Sequence, residues 1–329
     1  MKKMISLISL AAFALATVLT SPLPAHAKER LSFSGGPDGG TFQYFSNAIS
    51  TRLSRNLPDV DVSNMVSAGS VENLRRVNSG EADFGVVYAG DLYLGMKGEL
   101  TNDTRQYKNV HSLSYLYGAP AHLVVLDGSG INSVKDLVGK RVAVGPAGSG
   151  AAASAQRFFT SVGLWDKIKV EYIGYSQGAS AMGDKLIDAM WVFAGYPNSS
   201  IIQAAASNKV KLLNLVEAGK ASGFFVANPF YAEVTIPAGT YSGVDTPTLT
   251  FQDSTIWVAN SKLKASLVSN ALKEIYSPEG LAFMVSVTTT AKSMTVKDGL
   301  YGIVTPVHKD AIKFWTEKGL SITPAQQGK

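Results

Sequence analysis

From residue 31 onward the hydrophobic positions alternate between two periods. Short apolar runs such as "RLSFSGG", "VDVSNMV", "KRVAVG" and "DAMWVF" each end in a loop of small residues. Each loop opens a stretch whose apolar residues recur every three or four positions, the spacing of one helix face. Phe42, Phe45, Ile49 and Leu53 mark the first helix, after "PDGGT", and Val71, Leu74 and Val77 the second, after "SAGS". Ala155, Phe158, Phe159 and Val162 mark the third, after "PAGSG"; the fourth, Ile201 to Ser207, follows "AGYPNSS". Gly80 stops the second helix, and Phe84 to Val87 reads as a short buried strand. Strands alternating with helices predict an α/β fold with mainly parallel sheets flanked by helices.

Two of these loops precede residue 120 and two follow it, which predicts two lobes with a cleft between them. "VHSLSYLYGAPAHLVVL" (110–126) and "TLTFQDSTIWVAN" (248–260) are apolar segments long enough to cross between lobes. The expected division is 28–123 for the first segment of lobe 1, 124–251 for lobe 2, and 252–329 for the return to lobe 1 and the C-terminal helices. Ligands of such sheets bind beyond the carboxyl ends of the strands, where the small-residue loops lie. A helix N-terminus there offers unpaired N–H groups and a partial positive charge, and so favours an anion. Ser70 reads either as a helix cap alone or as a cap that also holds a ligand oxygen. Asn73 is expected to point out along the same helix end, so that replacement by Ala would weaken binding and leave stability unchanged or slightly higher.

Composition places this fold. Lys2 and Lys3, the apolar "MISLISLAAFALATVL" and "SPLPAHA" have the form of a secretory signal peptide cleaved after Ala27. The chain is therefore expected to be exported and free of a membrane anchor. It has no cysteine, hence no disulfide framework, thiolate metal site or lipidated cysteine. Without Lys2 and Lys3 the 30 basic residues become 28 against 25 acidic ones, a net charge of +3 that gives no reason to expect nucleic acid.

"GPAGSGAAASA" invites three enzyme readings. A P-loop needs Lys after its last Gly, where this chain has Ala151. A nucleophile elbow around Ser149 needs Gly at 147 and 151, and both are Ala. Gly148 to Ala153 matches the dinucleotide pattern G-x-G-x-x-A, although "GPA" separates it from its strand. An exported dinucleotide-dependent oxidoreductase using the 148–153 loop is thus the alternative function. Outside the signal peptide the histidines are His111, His122 and His308, without H-x-x-x-H spacing, so no metal is expected. Asp83 and Asp188 sit in helix-to-strand turns, where turn hydrogen bonding is the expected role. No nucleophile–base pair can be assembled, and the chain reads as a monomeric binder without enzyme activity or cofactor.

The blocks "GGTFQYFSNAIS", "GSVENLRRVNSGEADFGVV", "DLVGKRVAVGPAGSG", "LIDAMWVFAGYPNSSI", "IPAGTYSG" and "TPVHKDAIKFWTEKG" occur in the order found in TAXI-type solute-binding proteins. From about residue 31 to 320 the chain resembles that family, the extracytoplasmic receptors of one branch of tripartite ATP-independent periplasmic (TRAP) transporters. The resemblance implies a two-lobed periplasmic binding protein of type II-like fold that closes on one small solute and hands it to an ion-driven membrane permease. It implies ligand contacts at Thr41, Phe42, Ser70, Asn73 and Tyr88 from the first lobe. From the second it implies Gly148, Ser149, Gly150 and Gly195. Family ligands are small organic acids and acidic amino acids, so a mono- or dicarboxylate or an amino acid is expected here.

Four positions depart from the family pattern. Gln43 stands where a second aromatic is usual, and Tyr88 where Gln or Ser is usual. Ala151-Ala152 replaces a Thr-Arg pair, which removes a possible carboxylate clamp. His308-Lys309-Asp310-Ala311 replaces His-Pro-Gly-Ala.

Overall fold

A computed structural model describes residues 28–101 and 103–329; the expected signal peptide, 1–27, lies outside the described residues. The first unit runs β1 (Glu29–Ser34), α1 (Thr41–Asn56), β2 (Val60–Met65), α2 (Ser70–Ser79), β3 (Phe84–Tyr88) and α3 (Ala89–Lys97). Strand β4 (Val110–Leu126) leaves it for a second unit. That unit comprises β5 (Arg141–Ala143), α4 (Gly150–Ser161), β6 (Lys169–Glu171), α5 (Tyr175–Gly183), β7 (Ala189–Phe193), α6 (Ser199–Ser207) and β8 (Val210–Leu212). Strands β9 (Ala232–Ile236) and β10 (Thr248–Asn260) lead back, and helix Ala265–Ile275 then packs on α1.

The strand order is β2-β1-β3-β10-β4-β7-β5-β6, with β8 added to β4 and β9 to β10. In one lobe β1 is parallel to β2 and β3; in the other β5 is parallel to β6 and β7. The crossing strands are antiparallel to their neighbours, β10 to β3 and β4, and β4 to β7 and β8. Each sheet is therefore mixed rather than mainly parallel. The reason is geometric: the chain enters the second lobe on β4 and returns on β10, so the two must run oppositely. Their pairing extends from Asn260 opposite Val110 to Gln252 opposite Pro120, with register shifts after Thr255 and Trp257.

The same device fastens both parallel cores. Asp83, just before β3, accepts hydrogen bonds from the Ser32 amide at 2.8 Å and its hydroxyl at 3.1 Å. Asp188, just before β7, accepts from the Arg141 amide at 2.8 Å and pairs with its guanidinium at 3.0 Å. Both aspartates do the turn work expected of them, tying a strand start to the neighbouring strand.

On β4, buried His122 is locked between two partners. Its Nδ1 lies 3.2 Å from the Val192 carbonyl, and its Nε2 lies 3.0 Å from the Tyr241 hydroxyl. Burial lowers its pKa to about 4, against about 6.5 in an unfolded chain. Between these values the unfolded chain binds more protons, so stability falls as pH drops from 6.5 toward 4, by on the order of 3 kcal/mol for this residue. Burial also lowers the pKa values of His111 and His308, in the same direction. Denaturant melts across this range should show His122→Gln with a shallower acid loss than wild type. Parallel pH profiles would refute a buried neutral His122.

Candidate functional site

The loop before α2 is small because of what it meets. Gly69, the N-cap, has φ +123°, a backbone conformation that L side chains rarely adopt. The helix end is secured from outside: the Gly69 amide donates to Ser67 Oγ at 3.1 Å and the Ala68 amide to Glu72 Oε2 at 2.6 Å. Ser70 is not the cap that the sequence suggested. It is the first helical residue, and its Oγ accepts from the Tyr88 amide at 3.0 Å, tying α2 to the end of β3.

On the opposing lobe, Ser149 does cap its helix, accepting from the Ala152 amide at 3.0 Å. Gly150 then lies directly against α2. A Cβ added there would stand 2.6 Å from Ser70 Cβ, 2.7 Å from Tyr88 Cδ2 and 2.3 Å from Asp91 Oδ2. The N-termini of α2 and α4, from different lobes, thus meet head to head.

At this junction Thr41, Phe42, Ser70, Tyr88, Ser149 and Gly150 line one cavity of about 10 Å³, enough for about one water. Tyr175, Phe193 and Ala194 complete its far wall. Aromatic rings form much of it, with Tyr88 centred 4.8 Å from Phe42 and 4.7 Å from Phe193. The hydroxyls of Tyr88 and Tyr175 both donate to the Phe193 carbonyl. Burial raises both phenol pKa values, keeping them neutral donors. Ser149 also borders an outer groove of about 460 Å³, which Gly148, Glu72 and Arg75 line as well.

Three expected contacts lie elsewhere. Gly148 lines the outer groove and not the junction. Gly195 is turned toward the C-terminal segment, where a Cβ would meet Thr290 Cγ2 at 2.6 Å. Asn73 does not point along the helix end. It is fully buried, its Nδ2 donating to the carbonyls of Gly35 (2.6 Å) and Val86 (2.7 Å) while Oδ1 accepts from Ser34 Oγ (2.6 Å). A buried amide beside two strand ends satisfies their carbonyls before anything else. The fourth loop is also diverted: Asn198 caps α6, and its Nδ2 and Ser199 Oγ donate to the Gly39 carbonyl across the cleft at 3.1 and 3.2 Å. That helix end clasps the other lobe instead of facing the cavity.

Sequence reasoning missed the charges behind the wall. Asp91, in the first turn of α3, pairs with Arg157 on α4 at 2.8 Å, with side-chain exposures of 0% and 9%. Arg157 also donates to the Tyr231 hydroxyl, at 2.7 and 2.9 Å. Asp253 on β10 accepts from the Gly90 amide at 3.2 Å. Its burial, with Asp91 close by, holds its carboxyl well above the usual carboxylate range. Asp91 Oδ2 and Arg157 Nη1 are buried without a hydrogen-bond partner. The sequence shows only that Gly150 and Arg157 share one face of α4, seven residues apart; it carries no signal for the pairing with Asp91.

The NMT1-like family profile matches residues 33–319. Among solved structures, MatC from Rhodopseudomonas palustris with bound malate is similar at 14% identity and a TM-score of 0.53, over 90% of this chain and 96% of that one. The periplasmic aliphatic sulphonate binding protein SsuA from Escherichia coli matches at 14% identity, TM-score 0.44, over 89% and 84%. A putative L-cystine ABC transporter protein from Listeria monocytogenes matches at 15%, TM-score 0.48, over 78% and 94%. The likeness to MatC is one of fold, a two-lobed binding-protein architecture.

Two substitutions test this geometry. Asn73→Ala should cost about 3 kcal/mol in a denaturant melt, because it removes three buried hydrogen bonds, to the Gly35 and Val86 carbonyls and from the Ser34 hydroxyl. A neutral or stabilising effect would restore the outward-pointing side chain. Gly150→Ala improves helix propensity yet places a methyl against Ser70 and Asp91. Small-angle scattering should show a more extended particle than wild type, with little change in melting point. An unchanged scattering curve would mean that the two helix ends do not meet in solution.

Proposed function

We propose that this chain, which belongs to the NMT1-like family, is the solute-binding receptor of a membrane transporter and closes its lobes on one small carboxylate-bearing molecule. The observation that carries the reading is the meeting of two helix N-termini from opposite lobes at one aromatic-walled cavity. Free N–H groups at such ends bind an oxyanion, and lobe closure brings them onto it together. The solute enters while the lobes are apart, because a cavity of about 10 Å³ admits none when they touch. Opening bends the crossing strands near residues 118–126 and 249–258, which divide lobe 1 (28–123 and 252–329) from lobe 2 (124–251).

The sequence blocks favour a TAXI-type receptor working with the membrane subunits of a TRAP transporter, in the periplasm. Among the described residues no helix is long and apolar enough to cross a membrane. The alternative, a dinucleotide-dependent oxidoreductase using the 148–153 loop, is disfavoured by what stands at that helix end. A pyrophosphate would bring two negative charges to a helix end beside the Asp91 carboxyl group, with no cation lining the cavity to balance the second. The arrangement supplies binding donors and no nucleophile with its base, so we assign no catalytic step.

Thermal-shift measurements with organic acids and amino acids test the proposal. A ligand at a hundred times its Kd should add about 2.7 kcal/mol of stability. Turnover of a nicotinamide substrate, with no stabilisation by any carboxylate, would overturn it in favour of the enzyme.

A further inference from the structure

We infer that Asp91 makes this site selective for a solute bearing an ammonium group next to its carboxylate, a zwitterionic amino acid without a second acidic group. The inference rests on the receptor reading above and names the chemistry of its ligand. It begins with one atom. Asp91 is fully buried, its Oδ1 is bound to Arg157, and its Oδ2 has no hydrogen-bond partner. A buried charged acceptor without a donor is costly, so its position calls for a function.

That oxygen lies at the lobe junction. It is 2.3 Å from the point where a Cβ on Gly150 would stand, beside Ser70 and Tyr88, which line the cavity. When α4 withdraws with its lobe, the contact covering Asp91 Oδ2 goes with it, and the oxygen faces the cleft. The same spot then holds two kinds of partner a few ångströms apart: helix N–H donors on α2 and α4, and one carboxylate acceptor. An α-amino acid carries the complementary pair on a single carbon, its carboxylate for the helix ends and its ammonium for Asp91.

The surrounding charges reject the dianion. Once the lobes close on the solute, Arg157 on α4 returns to Asp91 and to Tyr231, behind the cavity wall. A second solute carboxylate would therefore approach Asp91 with no cation among the residues that line the cavity to receive it, which is discrimination by repulsion. Asp253, the other carboxyl group close by, offers no positive charge either. Phe42, Tyr88 and Phe193 offer apolar surface for an uncharged side chain.

Titration calorimetry on the chain without its signal peptide tests this. The probes are L-alanine, L-leucine and L-phenylalanine, each with its 2-hydroxy and 2-oxo counterpart, together with malate and L-glutamate. At least one amino acid should bind tenfold or more tightly than its 2-oxo counterpart and than either acidic compound. In Asp91→Asn that preference should collapse, with amino-acid affinity falling at least tenfold and 2-oxo-acid affinity unchanged or higher. The readout is a ratio within one protein, which a general loss of packing would not move selectively. If Asp91→Asn fails to fold, the wild-type ratio decides alone. Preference for malate, L-glutamate or a 2-oxo acid, or a ratio preserved in Asp91→Asn, would overturn the inference and leave the receptor reading intact. Binding of none of these probes would overturn both.

Discussion

The β4–β10 ribbon is the constraint on which the rest depends. One strand carries the chain into the second lobe and the other carries it back, paired from Val110 with Asn260 to Pro120 with Gln252. This pairing sets the direction of every neighbour, and so makes both sheets mixed. It also turns the carboxyl ends of β3 and β7 toward one another: β3 runs antiparallel to β10 and β7 antiparallel to β4, so the two strands approach the crossing from opposite directions. Tyr88 at the end of β3 and Phe193 at the end of β7 can then share a hydrogen bond across the cleft. Register shifts after Thr255 and Trp257 interrupt the ribbon near the point where the strands change lobes, and such irregularities let a paired ribbon bend locally.

Given that spine, electrostatics decides what the cleft can be. Two helix N-termini brought end to end each carry roughly half a positive charge, and facing one another they repel. The protein sets the Asp91 carboxylate beside their meeting point and holds it with Arg157 on the far side. The junction is therefore balanced by an internal anion on one flank while its donors stay directed at the cavity. The cost is a buried ion pair spanning the lobes, which would have to separate or turn under the proposed opening. Buried pairs contribute little net stability when intact but cost several kcal/mol when one partner is lost. That asymmetry suits a contact made and broken as a unit.

The fold was legible because its signals are local. Helical periodicity placed α1, α2, α4 and α6 within about two residues of their starts, and the long apolar segments were strands. The site was legible only as a set of loops. Six of the nine expected contacts converge at the cavity because loop position in an α/β sheet is fixed by topology. Ser70 and Asn73 were misjudged in detail for a common reason: their hydrogen bonds go to β1, β3 and Tyr88, partners that no spacing within "SAGSVEN" can reveal. Arg157 and Asp91 were invisible as a pair because 66 residues and a change of lobe separate them.

Seen against that pair, the replacement of Thr-Arg by Ala151-Ala152 becomes intelligible. An arginine in the first turn of α4 would stand at the cleft edge, free to grip a solute carboxylate. Here Ala151 lines the cavity and Ala152 the outer groove, both nearly covered, so no long side chain fits while α2 and α4 touch. The guanidinium of this helix enters two turns later, at Arg157, behind the wall rather than in it. From there it orients Asp91 instead of claiming the ligand. Small residues at the helix end and an arginine two turns along it thus serve the same junction. They let the lobes approach to contact, and under the proposed receptor reading they leave recognition to backbone donors and a single buried carboxylate.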